Sequence, residues 1–216
     1  MNHRMPHSAW LLLLPAMLAS ANAASRNDQP ADATQPERGG EPAVAQDAES
    51  MIDAFARYAM PGVHHNVLER MVGNWGIKVK YRMNADAPVV ESEGTSIRKW
   101  ILGKRFVLEE FDGGHLAMPF KGFAIYGYDS FEDKYTSAWL DTMNTAITTY
   151  KGLCKLKCKA IAFEGLHGDP WTGTKRRSRG ITRFVDNDRQ VVEIYEPDAD
   201  GREFKILEIR YERSQP

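Results

Sequence analysis

From Gly73 onward the chain alternates apolar and polar residues with a period of two, and this restricts the possible folds more than any other feature. Trp75, Ile77, Val79, Tyr81 and Met83 alternate with Gly76, Lys78, Lys80 and Arg82, which makes one face of an extended strand apolar and the other polar. The pattern recurs near residues 92–102, 104–112, 120–129, 133–142, 145–153, 157–164, 177–186, 189–197 and 202–212. Turn residues separate these segments: Gly103, Asp112-Gly113-Gly114, the stretch from Asp129 to Asp133, Gly168-Asp169-Pro170, Asp186-Asn187-Asp188 and Asp198 to Gly201. Such short connections join antiparallel neighbours, because a parallel crossover needs about a dozen residues or more. About ten strands exceed what an open twisted sheet usually holds, so the expected solution is a mainly β protein whose sheet closes into an antiparallel barrel.

One or two short helices precede the strands. Met51, Ile52, Phe55, Tyr58 and Ala59 fall at helical spacing over residues 50–61, with Ser50 and Asp53 as a capping pair and Pro61-Gly62 as the stop. A second helical segment, His64 to Val72, gathers Val67, Leu68, Met71 and Val72 on one side and ends at Gly73.

The formal net charge is −1 over 216 residues, with 43% hydrophobic residues. These values exclude wholesale disorder and a general nucleic-acid binder, which would carry a marked basic excess. The charge is unevenly spread: residues 24–49 hold six acidic residues against Arg26 and Arg38, leaving 25 basic and 23 acidic residues beyond them. That stretch has one aliphatic side chain larger than alanine, Val44, too little apolar area to offset ordering entropy, and it reads as a disordered acidic leader. The expected organisation is a signal peptide over residues 1–23, the leader over 24–49 and a single barrel domain over 50–213.

Several motifs appear in order along the barrel region. Pro61-Gly62 is followed by His65-x-x-Leu68 and Gly73-Asn74-Trp75. Gly122, Gly127-Tyr128-Asp129 and Trp139-Leu140-Asp141-Thr142-Met143 come next. Asp169-Pro170-Trp171-Thr172-Gly173 and Glu193-Ile194-Tyr195-Glu196, leading to Gly201-Arg202-Glu203-Phe204-Lys205, complete the set. Together, over roughly residues 61–213, they resemble the bacterial family known only as domain of unknown function 1579. The resemblance implies a lipocalin-like (calycin-like) barrel and brings no established activity. Gly73-Asn74-Trp75 is also similar to the G-x-W that opens the first strand of lipocalins. There an arginine of the last strand lies across the tryptophan, a place that Arg210 or Arg213 can fill.

The candidate binding residues share strand faces with bulky apolar side chains. Tyr135, Ser137, Trp139 and Asp141 lie on one face, as do Arg98 and Trp100, and Glu193 and Tyr195. If these faces point inward, Trp139, Tyr128 and Tyr195 supply contact area while Asp141 and Arg98 orient a polar end of a small apolar or amphipathic ligand. Buried carboxylates at Asp141, Glu193 and Glu208 would then pair with Arg98, Arg183 or Arg210. An enzyme using Asp141 or Glu193 as general base is the second reading. A partner-binding module built on the basic run Lys175-Arg176-Arg177 with Arg179 is the third.

No catalytic residue, metal ligand or cofactor is assigned. His64 and His65 are adjacent and point about 100° apart on a helix. Residues 168–216 contain no histidine or cysteine, unlike the late strands of haem-binding barrels such as nitrobindin. No G-x-S-x-G elbow is present. Adjacent Glu109 and Glu110 face opposite sides of their strand and cannot act together.

Arg4, the apolar run from Ala9 to Ala19 and the small-residue site Ala21-Asn22-Ala23 have the form of a cleaved secretory signal. The run is too short to span a bilayer, so a periplasmic or secreted protein without a membrane span is expected. Cys154 and Cys158, across a three-residue turn in an exported chain, are expected to form a disulfide. N-terminal sequencing of the protein recovered from an expressing cell's exported fraction should begin at Ala24; an intact Met1 would overturn the assignment.

Overall fold

A computed structural model describes residues 43–115, 118–154, 158–169 and 172–214. The expected signal, its expected cleavage position and most of the stretch read as an acidic leader lie outside these residues. Two helices, α1 (Ala43–Ala59) and α2 (His65–Glu69), precede ten strands: β1 (Gly73–Tyr81), β2 (Val90–Ile101), β3 (Phe106–His115), β4 (Pro119–Asp129) and β5 (Lys134–Asp141), then β6 (Thr148–Leu153), β7 (Ala160–Asp169), β8 (Thr174–Phe184), β9 (Arg189–Pro197) and β10 (Glu203–Arg213). Each strand pairs antiparallel with the next, and β1 pairs with β10, so the sheet closes into an up-and-down barrel. Closure leaves no unpaired edge.

Three local expectations change. α1 begins at Ala43 rather than near Ser50, and Ser50 is interior to it, its Oγ donating back to the Asp47 carbonyl at 2.9 Å instead of capping. The second helix ends at Glu69, and the chain continues to Val72 in tighter turns whose N–H groups donate three residues back. Met83 lies beyond β1 and is 73% exposed, because the β1–β2 connection begins at residue 82.

The strand alternation sorts the barrel into layers. At one end, where β1 begins and β10 finishes, α2 lies across the opening. Val67, Leu68 and Met71 pack there against Val107, Tyr135, Cys158, Ile161, Phe163 and Phe184. Arg213 lies over the Trp75 ring at 4.2 Å and donates from Nη1 to the Val72 carbonyl at 2.8 Å, so the lipocalin-like cation is Arg213, while Arg210 pairs with Glu208 on the outer wall. Trp75 Nε1 donates to the Met71 carbonyl at 2.9 Å, which ties the strand start to the helix cover. Gly73 permits this arrangement: its φ is +136°, and a Cβ there would collide with the Arg213 guanidinium. Cys154 and Cys158 join in a disulfide with Cα atoms 5.6 Å apart.

His65 belongs to the same cover. It is buried, and its Nδ1 accepts the Gly62 N–H at 3.0 Å. Burial lowers its pKa below the ordinary histidine value. Between that lowered value and about 6.5 the unfolded chain binds more protons than the folded one, so stability rises with pH across this window. The contribution is complete above about pH 6.5 and is lost as the pH falls below it. Urea midpoints followed through this range should drop on acidification, and His65→Gln should flatten the slope; an unchanged slope in the variant would contradict the assignment.

Candidate functional site

The inward face follows from register. Ser96 and Arg98 on β2, Val107, Glu109 and Phe111 on β3, and Ala124 and Tyr126 on β4 point inside, as do Ile161 and Phe163 on β7 and Tyr211 on β10. Inside the barrel lies a buried charge pair that strand patterning alone does not reveal. Arg98 and Glu109, cross-strand partners on β2 and β3, have no exposed side-chain surface, and Arg98 Nη2 lies 3.0 Å from Glu109 Oε1.

The carboxylate is surrounded by donors. Ser96 Oγ donates to Oε1 at 2.6 Å, Tyr126 to Oε2 at 2.7 Å and Tyr211 to Oε1 at 3.2 Å. Arg98 Nη1 donates to Gln190 Oε1 at 2.9 Å, and Gln190 Nε2 donates to the Arg70 carbonyl at 2.6 Å. The guanidinium also stands 4.0 Å above the Tyr211 ring. Burial works against the Arg98 charge, but the adjacent Glu109 carboxylate outweighs it and raises the pKa. Burial, and then the same carboxylate, push the Tyr126 and Tyr211 phenols upward, so both remain donors. The network links the barrel interior to the chain just after α2, and it leaves Arg98 Nε and Nη2 buried without a hydrogen-bond partner.

The five expected lining residues separate. Trp139 and Asp141 meet at the end opposite α2, where Trp139 Nε1 donates to Asp141 Oδ2 at 2.6 Å. The Trp139 ring packs on Phe111 at 5.4 Å and Phe120 at 6.2 Å, and Gly122 makes room for it, since a Cβ there would strike the ring. Asp141 Oδ1 accepts the Met143 N–H at 2.7 Å, so the carboxylate also shapes the next loop. Tyr128 lies at the α2 end, stacked on His64 at 4.3 Å, with its hydroxyl donating to Asp133. Burial, and then Asp133, raise its pKa. Tyr195 lies on the outer wall, where β8–β9 register sets it opposite Arg179 and the guanidinium covers its ring at 4.4 Å.

Glu193 and Glu208 face each other across β9 and β10 on that outer wall. Lys205 bridges them, while Arg183 and Arg210 complete the network. Desolvation opposes ionisation of Glu193, but Lys205 and Arg183 outweigh it and hold its pKa below the ordinary carboxylate value. Glu193 is thus held as a carboxylate within the outer-wall ion network. The basic run divides by strand alternation: Lys175 and Arg177 are exposed, Arg179 pairs with Glu203 outside, and Arg176 turns inward.

Inward-facing Arg176 exposes a second polar group that sequence reasoning missed. Arg176 contacts Asp169 Oδ2 at 2.7 Å and Glu196 Oε2 at 3.2 Å, and His167 Nε2 lies 3.2 Å from Glu196 Oε1. Its signal was present in the alternation of β7, β8 and β9, which places His167 opposite Arg176. Around this group the inward Trp139, Asp141, Tyr150, His167, Arg176, Val192, Ile194 and Leu207 are half-buried. Trp139, Val192 and Leu207 pack on a second buried core of Trp75, Ile77, Val79, Phe111, Phe120, Ile209 and Tyr211, and the half-buried apolar surface at the end opposite α2 is edged by Asp141, Asp169, Glu196, His167 and Arg176. Among the described residues no group of three or more histidine, cysteine, aspartate or glutamate side chains is arranged to hold a metal ion. No helix among them is long and apolar enough to cross a membrane.

Removing one member of the buried pair should be costly, because the remaining charge is left without its counterion. Glu109→Gln or Arg98→Met should each lower unfolding free energy by about 3–5 kcal/mol in urea titrations. A loss below about 1 kcal/mol, the range of exposed pairs, would contradict the buried assignment.

No curated protein matches the chain. The family described as Protein of unknown function (DUF1579) matches residues 60–213, from the residue after α1 through the last strand. The chain therefore belongs to the DUF1579 family.

Proposed function

We propose that the chain is an exported carrier or receptor for a small amphipathic molecule, held in the accessible half of the barrel. The observation that supports this most directly is the half-buried apolar surface of Trp139, Val192, Ile194 and Leu207 beside a few convergent polar groups at the end opposite α2. Apolar surface with a small number of placed polar groups is the usual composition of a small-molecule site.

In this reading Trp139, Ile194 and Leu207 take the apolar body of the ligand. The polar edge carries the carboxylates of Asp141, Asp169 and Glu196 against one guanidinium, Arg176. That balance favours a ligand end that donates hydrogen bonds or carries positive charge. Arg98 supports the site from beneath rather than touching the ligand, and Tyr128 and Tyr195 serve the cover and the outer wall. The N-terminal targeting pattern and the Cys154–Cys158 disulfide support residence in an oxidising compartment.

The test is native mass spectrometry of gently purified protein together with titration by the hydrophobic amine N-phenyl-1-naphthylamine. A lipid-like mass should co-purify, and the probe should gain fluorescence on binding. Ile194→Trp, which fills the accessible half, should weaken probe binding by about tenfold or more without lowering the melting temperature. Wild-type protein that carries no ligand and binds no probe would overturn the reading.

A further inference from the structure

The outer wall of the barrel has two unlike sides. Across β8, β9, β10 and β1 it carries ion pairs, among them Arg183–Glu193, Arg179–Glu203, Arg210–Glu208 and Lys78–Glu93. Across β2 to β5 it is largely apolar. The alternation that turns Arg98, Glu109, Ala124 and Trp139 inward turns their neighbours outward. Register then sets Ile97, Glu110, Phe123 and Leu140 in one outward row and Lys99, Leu108, Ile125 and Ala138 in the next. Ile97, Phe123, Ile125 and Leu140 are between 38% and 48% exposed. The two rows are adjacent, so their apolar members form one field on four hydrogen-bonded strands.

More exposed apolar side chains lie elsewhere, but not in a surface of this kind. Phe131 and Leu102 sit on turns at the α2 end, followed within three residues by Glu132 and Asp133 and by Lys104 and Arg105. Ile52 and Phe55 lie on α1, a single exposed helix. The field on β2 to β5 is instead held rigid by paired strands on both sides.

The charges beside the field are matched in sign. Lys99 meets Glu110 at 2.5 Å and Lys121 meets Asp112 at 2.9 Å. Glu132 takes Lys151 at 2.6 Å and Lys134 at 3.9 Å, and Glu164 stands across from Lys151 on β7. Strands of eight residues or more, about 4.8 Å apart and rising about 3.4 Å per residue, offer about 500 Å² of wall. Two such walls bury about 1,000 Å² together, the lower bound for a specific interface.

We propose that the outer wall of β2 to β5 is the face through which two copies of this chain associate, wall against wall about a two-fold axis. Charge complementarity selects a second copy. A surface with both signs in balance is complementary to itself after a two-fold rotation, whereas a face made for a charged partner carries an excess of one sign. A bilayer fits less well, because Lys99 and Glu110 stand within the field and an ion pair is costly among acyl chains. The ion pairs on the other side of the wall also rule out the all-round apolar band of a membrane barrel.

The experiment is analytical ultracentrifugation of the full-length mature protein from about 1 to about 100 μM. Wild-type protein should show a reversible monomer–dimer equilibrium in this range. Phe123→Arg/Leu140→Arg should raise the dissociation constant by about tenfold or more with its melting curve unchanged. Ile52→Asp/Phe55→Asp on α1 should dimerise like wild type. A bimane dye on Ile97→Cys should shift to the blue as the protein is concentrated, while one on Arg183→Cys, on the ion-paired side, should not; this readout holds even if the double variant folds poorly.

Wild-type protein that stays monomeric throughout the range, a wall variant that dimerises like wild type, or loss of the dimer through the α1 variant with no bimane shift at Ile97→Cys would each overturn the proposal. So would flotation of wild-type protein on phosphatidylcholine vesicles that the wall variant abolishes, since the face would then belong to a lipid surface.

Discussion

Closure of β1 onto β10 is the constraint on which the rest of the molecule depends. Seven residue pairs from Trp75–Arg213 to Tyr81–Leu207 zip the first strand to the last, and this pairing satisfies the two backbone edges that an open sheet would leave exposed. The same junction sets Arg213 over Trp75 and aims it at the Val72 carbonyl. The segment carrying α2 is thereby fastened across one end only. The difference between an end covered by α2 and one that is not begins with that single junction.

The buried Arg98–Glu109 pair works inside this frame. A charge pair without water needs hydrogen-bonding partners, and here they come from β2, β4, β9 and β10 through Ser96, Tyr126, Gln190 and Tyr211. Strands far apart in sequence must therefore reach their correct register before either charge is satisfied. We attribute to the pair a role in specifying register, because a slip of one residue would turn Arg98 or Glu109 outward. The cover, the Arg213–Trp75 contact and the pair all lie toward one end. At the other end polar groups collect around half-buried apolar side chains that pack on a second core.

Most strands were legible in the sequence because a period of two is a local property, visible wherever one face is buried. The turns were legible for a similar reason, since glycine, aspartate and asparagine act on the dihedral angles of their own neighbours. The candidate site was legible only in part. Trp139 and Asp141 share a strand face and do meet. Tyr195 fails because β9 presents Val192, Ile194 and Glu196 inward, and a half-apolar strand leaves the choice of face ambiguous. Glu109 showed only that it faces away from Glu110, since its partners lie on other strands. The Asp169–Arg176–Glu196 group was hidden behind a dense basic run that strand alternation splits between two faces.

The sequence by itself determined the class of fold, the number and direction of strands, and the positions of most turns, because these depend on neighbouring residues and on the length of chain between them. The identity of the lipocalin-like cation, the face on which each charge sits, the pairing of Arg98 with Glu109 and the difference between the two barrel ends were decided only by the tertiary structure. Each depends on register between strands that are distant in sequence, and a shift of one residue, invisible in composition or spacing, exchanges the inside of the barrel for the outside.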